Sequence, residues 1–136
     1  MLTKEQILAA DDFKVEVVNV PEWGGEVLVR TISGIDRDSY EADCLEFTVE
    51  GDLDRAGSVR TRVRNARALL AVRCICDESG HRLFADADAE ELGQKCAAAL
   101  DRIWDVAGRL NRISESNVEE LAKNSEAAGG GGSSAG

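Results

Sequence analysis

The chain reads as an α+β protein, mainly α-helical, with one N-terminal β-hairpin packed on four to five helices and a disordered Gly/Ser C-terminal tail. Three observations carry that expectation. A single proline in 136 residues disfavours a turn-rich β-sandwich. Apolar residues recur at three- and four-residue steps from residue 59 onward, whereas alternation with period two marks residues 13–32. Hydrophobic residues make up 43% of the chain but aromatic residues only 4%, which points to an aliphatic core of Ala, Leu and Val. The length suits one core and is too short for two. Residues 1–124 are therefore expected to form a single globular domain, and residues 125–136 a flexible tail.

Thr3 is a natural N-cap for a short leading helix that holds Ile7 and Leu8 and ends near Ala10. Phe13, Val15 and Val17 then alternate with Lys14 and Glu16, and Val18 and Val20 break the alternation. Pro21-Glu22-Trp23-Gly24-Gly25 turns the chain into a second alternating run, Glu26–Ile32. An isolated hairpin is marginal in water, so this one must pack on helices or pair with another chain. Trp23 at its tip is either a clasp closing on the core, the commoner fate, or an exposed anchor for a partner. Ser33 and Asp36 cap a helix expected to run to about Val49, with Tyr40, Cys44, Leu45 and Phe47 on its apolar face. Residues 51–57 are a polar link.

The stretch 58–84 organises the remainder. Ser58 is a candidate N-cap, and Val59, Val63, Ala66 and Leu70 follow at helical spacing, which predicts one long central helix. Asp77-Glu78-Ser79-Gly80 stops it, and His81-Arg82-Leu83-Phe84 returns two apolar side chains to the core. Asp88 with Glu91 has the form of a capping box for a further helix. The apolar face of residues 90–113 includes Leu92, Leu100, Ile103 and Trp104 and is interrupted near Gln94. Ser114 or Ser116 restarts a short helix with Val118, Leu121 and Ala122. The following SEAAGGGGSSAG has no means of burying anything.

Charge and cysteine usage narrow the function. The formal net charge of −10 repels nucleic acid and anionic membranes. Six arginines (Arg55, Arg60, Arg62, Arg64, Arg67 and Arg73) nevertheless gather around the central helix, with Arg60, Arg64 and Arg67 on one face. They form either a solvated face paired with acidic neighbours or a docking surface for an acidic protein. Cys44, Cys74, Cys76 and Cys96 read as reduced residues of a cytosolic chain. The CxC spacing sets Cys74 and Cys76 on opposite sides of the expected helix, so no shared metal is expected. Residues 86–97 fail the calcium-loop pattern, since Glu91 stands where glycine is required. No glycine-rich phosphate loop is present, and His81 lacks a marked nucleophile, so neither cofactor nor enzyme is expected. There is no apolar run long enough to span a membrane and no secretory signal.

The extended PEWGGEVLVR at residues 21–30 and the acidic helix from Asp36 together resemble the tail assembly chaperones of long-tailed bacteriophages. So do Arg67-Ala68-Leu69-Leu70-Ala71, Asp77-Glu78-Ser79-Gly80 with Leu83-Phe84, and Ile113-Ser114 leading to Lys123-Asn124-Ser125. Their order and spacing span roughly residues 13–125. The resemblance implies a short, non-frameshifted form in the host cytoplasm, absent from the mature virion. It would bind the tape measure protein, self-associate, and help recruit tail tube subunits. The tube contact would come mainly through a longer frameshifted product with a second domain beyond the Gly/Ser tail. The run Gly129–Gly132 is a suggestive place for such a slip, because all glycine codons begin with two guanines. Trp23, Arg60, Arg64 and Arg67 are the candidate partner-binding residues. The alternatives are an acidic inhibitor or antitoxin-like module and, further off, a small enzyme with a polar pocket around His81.

Overall fold

The computed structural model describes residues 1–50, 58–114, 117 and 119–124, with side chains described at all of these except 47–50 and 58–62. Helix α1 (Lys4–Ala9) is capped by Thr3, whose hydroxyl accepts the Gln6 N–H while the Gln6 side chain accepts the Thr3 N–H. Strands β1 (Val15–Val20) and β2 (Gly25–Arg30) form the expected antiparallel hairpin, in register Val15 to Arg30 and Val20 to Gly25. A 3-10 turn at Pro21–Trp23 joins them, and Gly24 accepts its left-handed φ of 77° without a Cβ penalty. Helix α2 (Gly34–Cys44) starts where the Ser33 hydroxyl accepts the Asp36 N–H.

Two expectations fail next, for one reason. Helix α2 ends at Cys44, not near Val49, and strand β3 (Leu45–Glu50) pairs antiparallel with β4 (Ser58–Val63). The long central helix is therefore a strand followed by a shorter helix, α3 (Ala66–Cys74). Ser58 is no N-cap, and Arg60, Arg64 and Arg67 do not share a helix face. Asn65, in a left-handed conformation at φ 54°, separates strand from helix, and its amide donates to the Ala89 carbonyl. The Gly51–Gly57 link lies outside the described residues.

After α3 the chain enters a two-residue strand, β5 (Ile75–Cys76), which joins β2 and makes the first sheet β1-β2-β5. The Asp77–Gly80 turn thus follows this strand instead of stopping the helix. It is built as expected around Gly80 (φ 85°), with the Asp77 carboxylate accepting the Ser79 and His81 N–H groups. Only Phe84 returns to the core, since Leu83 stays 57% exposed. Asp88 sits one turn later in its capping role than expected. Its carboxylate accepts the Ala85 N–H, and it makes no cap bond to the helix that follows. The break expected near Gln94 is present between α4 (Ala89–Leu92) and α5 (Ala97–Asn111). Helical structure resumes beyond Ser114, whose hydroxyl accepts the Asn117 N–H, and includes residues 119–124.

Helix α3 is the centre of the core. All residues from Ala68 to Cys74 are buried, including Arg73 at 0% exposure. Helix α5 lies against α3 and the inner face of the sheet, where Val18, Val20 and Val29 are buried. Asn111 at the end of α5 fastens this layer. Its side chain accepts the Ile32 N–H at 2.8 Å, and its own carbonyl accepts from Arg37.

The Arg73 guanidinium donates to the Leu69 carbonyl, the Ser39 hydroxyl and the Asp43 carboxylate, and lies 3.3 Å from Asp86. It thereby ties α2, α3 and the turn before α4. Breaking a buried pair costs most when a charge is left uncompensated, about 3–5 kcal/mol. Asp43 and Asp86 are about half exposed and can rehydrate, whereas Arg73 has no route to water. Asp43→Ala combined with Asp86→Ala is therefore expected to destabilise by about 3 kcal/mol or more, and Arg73→Met by less. Urea denaturation of the two variants measures the difference.

Candidate partner-binding surfaces

Among the described residues, no group of three His, Cys, Asp or Glu side chains is placed to hold a metal ion. His81 is on the surface, 3.9 Å from the Asp77 carboxylate, with its side chain 82% exposed. Burial pushes the Cys44 thiol up to about 11 and the Cys74 thiol up to about 12, so both are protonated at neutral pH. The Cys76 thiol is also raised by burial. Cys96 alone of the four is exposed. One thiol per chain should react with Ellman's reagent in the native protein at pH 8, and four should react in denaturant.

The expected arginine site separates into parts. Arg60 lies in β4, and its side chain is outside the described residues. Arg64 is half exposed and pairs with Glu90 at 2.7 Å. Arg67, on α3, pairs with Asp101 of α5. Arg64 and Arg67 thus meet carboxylates of neighbouring helices. Arg73 is the exception, being fully enclosed.

Trp23 is half-buried and packs against the core, and its indole N–H is buried without a hydrogen-bond partner. It also forms part of a groove of about 720 Å³ whose apolar lining is Trp23, Leu83, Phe84 and Leu92. Glu22, Asp88, Glu91 and Lys95 complete the lining. Glu22 is held by Arg102 of α5 at 2.7 Å, and that hydrogen bond lowers its carboxyl below the usual range. The sequence points to Trp23 but not to the groove, whose lining comes from stretches far apart in the chain.

A second apolar surface was not anticipated. Phe13, Val15 and Val17 are each about half exposed, at 45%, 47% and 58%. Spacing of two residues along an extended chain aligns them on one face, opposite the buried Val18 and Val20. Leu28, the cross-strand partner of Val17, is half-buried. The break in alternation at Val18 is the signal: both faces of β1 carry apolar residues, one set in the core and one left exposed among the described residues. Strand β1 is also the edge of its sheet. Helix α1 has no buried residue, and Ile7 and Leu8 are 57% and 76% exposed.

A family model described as "Phage tail assembly chaperone" matches residues 3–124. The chain belongs to the phage tail assembly chaperone family. The solved "Structure of bacteriophage HK97 tail assembly chaperone" is similar in fold, with a TM-score of 0.53 and 20% sequence identity. That likeness covers 82% of this chain and 95% of the HK97 chain. No curated protein sequence matches. Membership of this family points to a role in tail assembly. No helix among the described residues is long and apolar enough to cross a membrane.

Proposed function

We propose that this chaperone binds the tape measure protein during tail morphogenesis and covers its apolar helical surface with several copies of itself. The supporting observation is the exposed row of Phe13, Val15 and Val17, which runs from the residues before β1 onto that edge strand of the first sheet. A contiguous apolar row on a chain of net charge −10 is a surface suited to a transient protein partner. Self-association uses a separate surface, the groove at Trp23. Arg64 and Arg67 are half exposed and can exchange their intramolecular carboxylates for those of a partner, with Arg60 on the neighbouring strand. Residues 1–124 act as the chaperone domain and 125–136 as a tether. In a longer frameshifted product the tether would lead to a domain that contacts tail tube subunits. The protein works in the host cytoplasm and leaves before the virion is complete.

Co-expression with the long helical protein encoded nearby, followed by pull-down and light scattering, tests this reading. A soluble complex with several chaperone copies per partner is the expected result. Burying the exposed half of each valine contributes about 0.8 kcal/mol, and an aspartate in its place adds a desolvation cost of about 1–3 kcal/mol. The combined variant Val15→Asp, Val17→Asp should therefore weaken the complex by roughly 100-fold or more while circular dichroism stays unchanged. A tight one-to-one complex with a basic protein, and no effect on the tape measure, would instead support an inhibitor module.

A further inference from the structure

Strand β1 is the outer strand of the sheet β1-β2-β5, so one of its edges has no neighbouring strand among the described residues. The hairpin register settles which backbone groups lie on that edge. The Thr31 N–H donates to the Lys14 carbonyl at 2.9 Å, which extends the register of β1 and β2 by one hydrogen-bonded pair. In an antiparallel ladder, pairs that exchange hydrogen bonds alternate with pairs that do not. Glu16, Val18 and Val20 therefore turn their N–H and C=O groups toward β2, and Val15, Val17 and Asn19 turn theirs away from it. These outward groups bond to nothing else among the described residues.

Val15, Val17 and Asn19 are all exposed, so unpaired backbone and uncovered apolar side chains fall on the same residues. Proteins usually blunt such an edge with proline, a bulge or charged side chains. Strand β1 has no proline, and its register runs on without a bulge. Its one charged side chain, Glu16, is drawn to Arg109 of α5. The edge is left open to pairing.

We infer that this edge receives an extended segment of another protein, which joins the sheet as a further strand beside β1. A helix laid on the row would cover the side chains and leave the edge N–H and C=O groups unpaired, whereas an added strand satisfies both. Charge defines the segment further. Asp11 and Asp12 stand just before the row, exposed and without an ion-pair partner among the described residues. The segment therefore alternates apolar residues and carries lysine or arginine at the end beside these aspartates. A second copy of this chain would instead bring the same two aspartates and the same net charge of −10. The inference rests on the row being a partner surface, as proposed above, and adds an extended stretch at the edge to the helical surface covered there. So short a strand buries less than about 1,200 Å² in total, which makes the contact transient.

The test is amide hydrogen exchange, read by NMR on the full chain, with a synthetic peptide of two lysines followed by alternating threonine and valine. At saturating peptide the Val15, Val17 and Asn19 amides should exchange about tenfold more slowly, while those of Glu16 and Val18, already bonded to β2, change little. Val17→Pro removes an outward N–H at an edge position that tolerates proline and should abolish binding. Val17→Ala keeps that N–H and should weaken binding only a few-fold. The same peptide N-methylated throughout keeps its side chains, loses its donors and should not bind, which carries the test if Val17→Pro fails to fold. Exchange at the three amides that the peptide leaves unchanged would overturn the inference. So would equal losses in Val17→Pro and Val17→Ala, or an N-methylated peptide that still binds. Protection present without peptide and rising with protein concentration would place a second copy on the edge and overturn it too. A peptide with glutamates in place of the lysines that bound equally well would overturn the assigned charge. The pull-down above reads the partner surface separately: it can succeed while the edge amides stay unprotected, which removes the added strand and leaves the apolar row.

Discussion

The structure depends on one requirement: a helix buried on all sides carries a cation that must be neutralised in place. Beyond its exposed first turn at Arg67, α3 leaves no face to water from Ala68 to Cys74, and Arg73 sits among these buried residues. The charge is tolerated because Asp43 approaches from α2 and Asp86 from the turn before α4. Those carboxylates fix where their elements lie. Arg82 adds a second link, donating to the Val72 carbonyl and to Asp86. The Arg82 hydrogen bond lowers the Asp86 carboxyl below its usual range, with the Arg73 charge a smaller cause. Sequence, packing and electrostatics therefore converge on the junction of α2, α3 and α4.

Around that centre the sheet is asymmetric. Its inner face is closed by α5, through buried apolar contacts and through the ion pairs Glu16 to Arg109 and Glu22 to Arg102. Its outer face keeps Phe13, Val15 and Val17 in water, with the Arg30 guanidinium 5.6 Å above the Phe13 ring as partial cover. A strand selected only for folding would place polar residues there. Apolar residues at these positions stay outside the core cluster, which is why the proposed partner surface is placed on them.

Much of this was legible from residues alone. The first hairpin, the caps at Thr3 and Ser33, the Gly80 turn and the break before α5 follow from local chemistry, which acts within a few residues. The second hairpin did not follow. Leu45, Phe47 and Val49 alternate with Glu46, Thr48 and Glu50, and Val59, Thr61 and Val63 alternate with Arg60 and Arg62. The same stretch also satisfies helical spacing through Val59, Val63, Ala66 and Leu70, and short apolar runs fit both periods. The arbiter was Asn65, a residue type that accepts the left-handed conformation and so interrupts a helix. The Trp23 groove was hidden for a different reason: its lining comes from the hairpin loop, residues 83 and 84, and α4, which only the tertiary fold unites.

Charge and apolar exposure then act together. Arg64, Arg67, Arg73, Arg82, Arg102 and Arg109 are all engaged with carboxylates of their own chain. Positive charge is thus drawn into the ties between elements, and the excess of −10 remains to repel other copies at long range. That repulsion is screened within about 10 Å at moderate salt, whereas apolar contact acts only on touching. Molecules so constituted stay apart unless their uncovered surfaces meet in register. An acidic body with a few apolar sites thereby confines association to those sites.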